Sequence, residues 1–175
     1  MLKMKLIQKV LVIHFFFGAV FSEVNSQVPQ KASRPVHTYS IVARDPDTGQ
    51  MGVAVQSHWF SVGPLVPWAA AGVGAVATQS LVDVTYGPLG LELMRAGRTA
   101  PQTLAALKKA DSHPEIRQVA MIDAHGNVAA HTREKCIPEA GHIVGDNFSV
   151  QANLMLNDSI LSVSNHNLDK KTKKQ

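Results

Sequence analysis

The sequence predicts an α+β domain in which antiparallel sheets carry helices on their outer faces. Three observations predict it. Runs of β-formers occupy both ends of the globular region, and two helical patterns lie together between them. Neighbouring β-runs are joined by tight turn sequences, which make hairpins rather than crossovers. This segregation of strands from helices argues against a doubly wound parallel sheet, where the two alternate. With 175 residues, 45% of them hydrophobic, the chain suits one such domain.

His37 to Asp45 (HTYSIVARD) is rich in β-formers and Gln50 to Ser57 (QMGVAVQS) alternates. Between them Asp45 to Gly49 (DPDTG) forms a turn, because Pro46 presets φ and Gly49 accepts a positive φ. Pro64 to Ala71 is apolar and holds Pro67 and Trp68. Gly72 to Gln79 (GVGAVATQ) fits a buried strand with close neighbours, since Gly and Ala lack bulk. Tyr86 to Ala96 and Ala100 to Ala110 read as helices. In the first, Leu89, Leu93 and Ala96 fall at i, i+4 and i+7; in the second, Leu104 and Leu107 make the stripe. Thr99 is a suitable N-cap before Pro101, and Gly97 a suitable C-cap. Arg117 to Asp123 and Asn127 to His131 flank the turn Ala124-His125-Gly126 and make a second hairpin. Gly141 to Val144 and Phe148 to Leu156 supply further strands. No repeat of 20–50 residues occurs.

The ends differ from the body. Lys3, Lys5 and Lys9 precede the apolar run Val10 to Phe21, with Val24 and Ser26 at −3 and −1 of a cleavage site before Gln27. Residues 1–26 therefore read as a signal peptide and the protein as exported, periplasmic or secreted; an uncleaved anchor is the alternative. Gln27 to His37 is a proline-containing linker or propeptide. Residues 161–175 form a polar, basic tail in which disorder is expected. Between Gln27 and Asp169 ten Lys or Arg stand against twelve Asp or Glu, so the formal charge of +4 comes from the termini. No basic cluster of the kind nucleic acid requires is present in the body, and no stable membrane span is expected after signal cleavage. Cys136, the single cysteine, cannot form a disulfide within the chain and reads as a buried small hydrophobe before a nucleophile. His125, His131 and His142 lack a ligand spacing such as H-E-x-x-H, and Gly72-x-Gly74 lacks the third glycine of a dinucleotide loop. Neither a metal nor a cofactor is expected.

Thr38-Tyr39-Ser40-Ile41-Val42-Ala43-Arg44-Asp45, Gly52-Val53-Ala54-Val55-Gln56-Ser57, Val66-Pro67-Trp68-Ala69, Ala71 to Gln79, Tyr86-Gly87-Pro88, Ala130-His131-Thr132 and Cys136 to His142 occur in that order. Together they resemble the family called domain of unknown function 1028, from about Thr38 to Ile160. That family is grouped with the N-terminal-nucleophile (Ntn) hydrolases. The resemblance implies a four-layer αββα sandwich of two antiparallel sheets between helix layers. It also implies amide hydrolysis by an N-terminal Thr, Ser or Cys. Family members usually continue past the position of Ile160 with an amphipathic helix and a strand, so a C-terminally truncated sandwich is expected here.

In the implied chemistry Thr38 is the nucleophile. A Thr hydroxyl needs a base, and the residue's own α-amine, with a pKa near 8, supplies one only when Thr38 begins the mature chain. Signal cleavage before Gln27 leaves Gln27 to His37 attached, so a second cut, made by Thr38 on its preceding peptide, is required. The other reading is that Thr38 is a β-branched strand residue. Asn153 is the candidate oxyanion donor, where the family pattern is Gln-Gly-Asn and this chain has Gln151-Ala152-Asn153. Arg44 is a candidate fork for a substrate carboxylate, or a surface partner of Asp45 or Asp47. Gln79 and His131 end apolar strands and are candidates for the groove, or satisfied structural polar groups. The expected partner is a small amide or peptide-like substrate, with self-association through helix layers the implied oligomer. A non-catalytic binding or scaffold protein on the same fold, and a defective truncated family member, are the competing readings.

Overall fold

The computed structural model describes residues 37–137 and 139–155. The signal-peptide and anchor readings, the linker before His37 and the basic tail lie outside them. Eight strands run β1 (Thr38–Arg44), β2 (Met51–Ser57), β3 (Pro67–Ala70), β4 (Gly74–Ser80), β5 (Arg117–Asp123), β6 (Val128–Thr132), β7 (Gly141–Gly145) and β8 (Phe148–Asn153). Helices α1 (Tyr86–Arg95) and α2 (Ala100–Ala110) and a short 3-10 turn, Pro114–Ile116, separate β4 from β5. The first sheet has the order β2-β1-β8-β7 and the second β3-β4-β5-β6. Every pairing is antiparallel.

Both expected hairpins form. Asp45 Oδ1 accepts from the backbone N–H groups of Asp47 and Thr48, and Gly49 sits at φ 73°, closing the turn into β2. Gly126, at φ 85°, closes the turn between β5 and β6. A third hairpin, β3–β4, closes through Gly72 at φ 69°, where the apolar stretch Pro64 to Ala71 signalled no separate strand.

The sheets face each other across an apolar layer of Val42, Val66, Ala75, Ala77, Ala120 and Ile122. The outer face of the second sheet packs on the helices through Val76, Val119 and Met121 against Tyr86, Leu91, Met94 and Leu104. Strand β4 is covered on both sides and is therefore almost wholly buried. The described residues form three layers: helices, sheet, sheet.

The buried face of α1 differs from the expected Leu89, Leu93, Ala96 stripe. Leu89 is half exposed, whereas Tyr86, Gly87, Gly90, Leu91 and Met94 are buried. The glycines are the reason: a Cβ on Gly87 would stand 2.4 Å from the Trp68 ring, so the helix uses its glycine side to approach the sheet. In α2 the capping box is complete: Thr99 Oγ1 accepts from Gln102 N–H and Gln102 Oε1 from Thr99 N–H.

Candidate functional site

Strand parity decides what reaches the space between the sheets. On β1, Thr38, Ser40 and Val42 point inward and are buried, while Tyr39 points outward. The register places Ser57 of β2 and Asn153 of β8 directly opposite Thr38 on either side. Thr38 Oγ1 and Ser57 Oγ share a hydrogen bond of 2.8 Å. Ser57 Oγ also accepts from Trp59 N–H at 3.1 Å. Thr38 is 5% exposed and Asn153 1%.

Across the interlayer lies Gln118 of β5, which was not picked out from the sequence. Its Nε2 donates to the carbonyls of Gly141 and Ala152, at 3.1 and 3.0 Å, and to Thr132 Oγ1 at 3.0 Å. Carbonyls only accept, so this fixes which end of the amide is nitrogen. Gln118 Oε1 then accepts from Gln79 Nε2 at 2.7 Å and Asn153 Nδ2 at 2.9 Å. Gln118 thereby ties the two sheets together and orients two of the predicted site residues. Gln79 Oε1 is left buried without a hydrogen-bond partner among the described residues.

Thr38, Gln79 and Asn153 line one cavity of about 260 Å³, whose walls include Trp59, Phe60, Leu65 and Leu81. Two strained residues flank it: Ser80 (φ 73°) follows Gln79, and Leu154 (φ 57°) follows Asn153. Non-glycine residues in this region cluster at functional sites. Ser80 Oγ accepts from Cys136 Sγ at 2.9 Å and donates to Ile116 carbonyl. Burial pushes the Cys136 thiol above its ordinary pKa, against the lowering effect of Ser80, and so keeps it a neutral thiol. On the other side of Thr38, His37 Nδ1 bonds the Leu154 carbonyl at 2.9 Å, and the His37 carbonyl accepts from His58 N–H at 3.4 Å.

Two predicted residues are not brought to this cavity. Arg44 ends β1, six residues from Thr38 or roughly 20 Å at strand rise. Its Nε donates to Ala124 carbonyl at 2.9 Å and braces the β5–β6 turn. His131 pairs with Val119, a residue of the helix-facing core, so its ring lies on the helix side of the sheet; Thr132 takes the inner position beside Gln118. His131 Nε2 bonds the Pro114 carbonyl at 2.8 Å. Burial pushes its pKa below the ordinary range, with the Pro114 carbonyl opposing. Among the described residues no three His, Cys, Asp or Glu side chains gather as a metal site.

No curated protein matches the chain. It is similar to the crystal structure of a protein from Silicibacter pomeroyi that matches the family model DUF1028, with a TM-score of 0.68 and 28% sequence identity. The similarity covers 72% of this chain and 56% of the other, so the chain spans little more than half of that relative's length. The family model described as a family of unknown function (DUF1028) matches residues 38–174. The match opens on Thr38 and runs beyond Ile160, where the sequence patterning stops. By this match, and by a fold shared with a structure of the same family, the chain belongs to DUF1028.

Proposed function

We propose that the chain is an exported hydrolase of the Ntn type that cleaves a small amide or peptide-like substrate, with Thr38 as nucleophile. The observation that carries this reading is the position of Thr38. It is the first residue of a central strand, it bonds one hydroxyl and faces one carboxamide across the register, and it lines an uncharged cavity. The layers described, helices on one of two facing antiparallel sheets, accord with three of the four layers of an Ntn sandwich.

The surroundings of His37 favour a cut before Thr38. Attack of Thr38 Oγ1 on the His37 carbonyl carbon closes a five-membered ring, and the negative oxygen that develops is the one already facing His58 N–H. Ser57 Oγ is placed to accept the hydroxyl proton and relay it to the leaving nitrogen. The C–N bond breaks, leaving an ester on Oγ1 and a free α-amine. Water hydrolyses the ester, releasing the segment that ends in His37. The α-amine then serves as base for substrate: Oγ1 attacks the amide carbon, the amine leaves with the proton, and water hydrolyses the acyl ester. Asn153 Nδ2 spends one hydrogen on Gln118 Oε1 and keeps a second for the oxyanion.

Hydrolysis by a chain produced with Thr38 at its N-terminus tests this proposal. Its rate rises as the α-amine loses its proton, near pH 8. Thr38→Ala lowers the rate by about 10³ or more, whereas Thr38→Ser retains activity. Equal hydrolysis by Thr38→Ala, or by a chain that intact mass shows to remain extended before Thr38, contradicts the mechanism. The second reading, a non-catalytic binding protein, is favoured by the mutual bonding of Thr38 and Ser57, and predicts no hydrolysis from either form.

A further inference from the structure

The cavity beside Thr38 is polar at one end and hydrocarbon at the other. Thr38, Gln79 and Asn153 form the polar end and are 1–5% exposed. None of the described residues lining it carries a charge. At its opening Trp59, Phe60, Leu65 and Leu81 are 60, 97, 40 and 51% exposed. Four large apolar side chains held in water around one opening are the pattern of a surface covered by a ligand. The volume of about 260 Å³ equals that of about nine waters in the liquid, enough for an organic group of about as many heavy atoms.

Gln79 supplies a second, independent observation. Gln118 fixes the orientation of its carboxamide, and Oε1 is buried with no donor among the described residues. A buried acceptor left unpaired is costly, and a ligand N–H beside it removes the cost. A carboxylate would aggravate the mismatch at Gln79 Oε1, and among the described side chains lining the cavity neither a carboxylate nor an ammonium finds a counter-charge.

We infer, resting on the Thr38 hydrolase reading, that the substrate is an uncharged amide with a short apolar acyl group, its hydrocarbon against Phe60, Leu65 and Leu81 and its N–H toward Gln79 Oε1. Gln79 is thus the residue that selects an amide bearing N–H, and the rim selects acyl length.

Binding to the full-length Thr38→Ala chain tests the substrate class without requiring catalysis, with Thr38→Val, which suits a strand, as a second inert variant. The probes are acetamide, butanamide, hexanamide, N,N-dimethylhexanamide, hexanoate and hexylamine, followed by tryptophan fluorescence, in which Trp59 at the rim responds over the background of Trp68. Affinity is expected to tighten about fourfold per added methylene. Hexanoate and hexylamine bind at least about tenfold more weakly than hexanamide. Hexanamide outcompetes its N,N-dimethyl derivative, and Gln79→Leu removes that preference. A flat series, or hexanoate equal to hexanamide, overturns the substrate class even if the Thr38-initiated chain hydrolyses other amides. A steep series beside an inert Thr38-initiated chain supports the amide cavity and removes only the catalytic reading.

Discussion

Gln118 acts on two sheets at once. Its carboxamide serves two main-chain carbonyls of the first sheet and two side-chain amides of the site. Gln118→Leu removes the Gln118 partner from all four groups and leaves the Gln79 and Asn153 amide nitrogens without their hydrogen bonds to it. The expected loss is about 2–4 kcal/mol of stability, measured by urea denaturation. Asn153→Ala, if Asn153 donates to the oxyanion, lowers kcat by about 10²-fold with little change in KM, which steady-state kinetics on the Thr38-initiated chain reads directly. The roles of Thr38 and Asn153 came from family resemblance, and register places the two opposite each other. Ser57 was legible in principle: the turn at Asp45 to Gly49 fixes a hairpin in which Ser57 must face Thr38. Gln118 left a weaker signal, a lone inward amide in the apolar strand RQVAMID. Arg44 and His131 show the limit of naming strand-end residues, because a shift of one position reverses the face and the far end of a strand is another site.

At the scale of elements, α1 is set by its glycines. Gly87→Ala forces a methyl into the Trp68 ring and costs about 1–3 kcal/mol, although alanine is the better helix former. Gly52→Ala, with nothing within 4 Å of the added carbon, stays within about 0.5 kcal/mol. Thermal melts of the two variants compare them directly. Both hairpins and both helices could be read from local chemistry: a proline–glycine turn, a capping box and a helical stripe in α2. The leucine stripe of α1 misled because apolar periodicity counts bulky residues, while the close contact was made by residues with no side chain. Strand β3 escaped for a related reason, since Pro67 and Trp68 carry little period over so short a run.

For the molecule as a whole, charge pairing near the helix layer contributes to acid sensitivity. Asp111 accepts from Arg117 Nε at 2.8 Å and from Tyr86 Oη at 3.1 Å, and its side chain is 5% exposed. The Arg117 hydrogen bond, opposed by burial, holds its pKa down at about 2. A carboxyl depressed in the folded state stabilises above its unfolded pKa, near 3.9, and loses that contribution as pH falls towards the folded value. The contribution of Asp111 to stability therefore falls by about 2 kcal/mol between about pH 4 and pH 2. Asp111→Asn is less stable at neutral pH and lacks that part of the acid response, which melts across the acid range resolve. Long-range pairing, such as β1 with β8 across more than a hundred residues, could not be read locally; it entered only as the sandwich that the resemblance implied. Catalysis by this chain turns on Thr38 becoming a free N-terminus. Its most direct test is the N-terminal residue of the protein purified from the exported fraction, by intact mass and terminal peptide mapping. Self-cleavage predicts a chain beginning at Thr38, and a Thr38→Ala chain that still begins at Gln27. Wild-type and variant chains both beginning at Gln27 would contradict it.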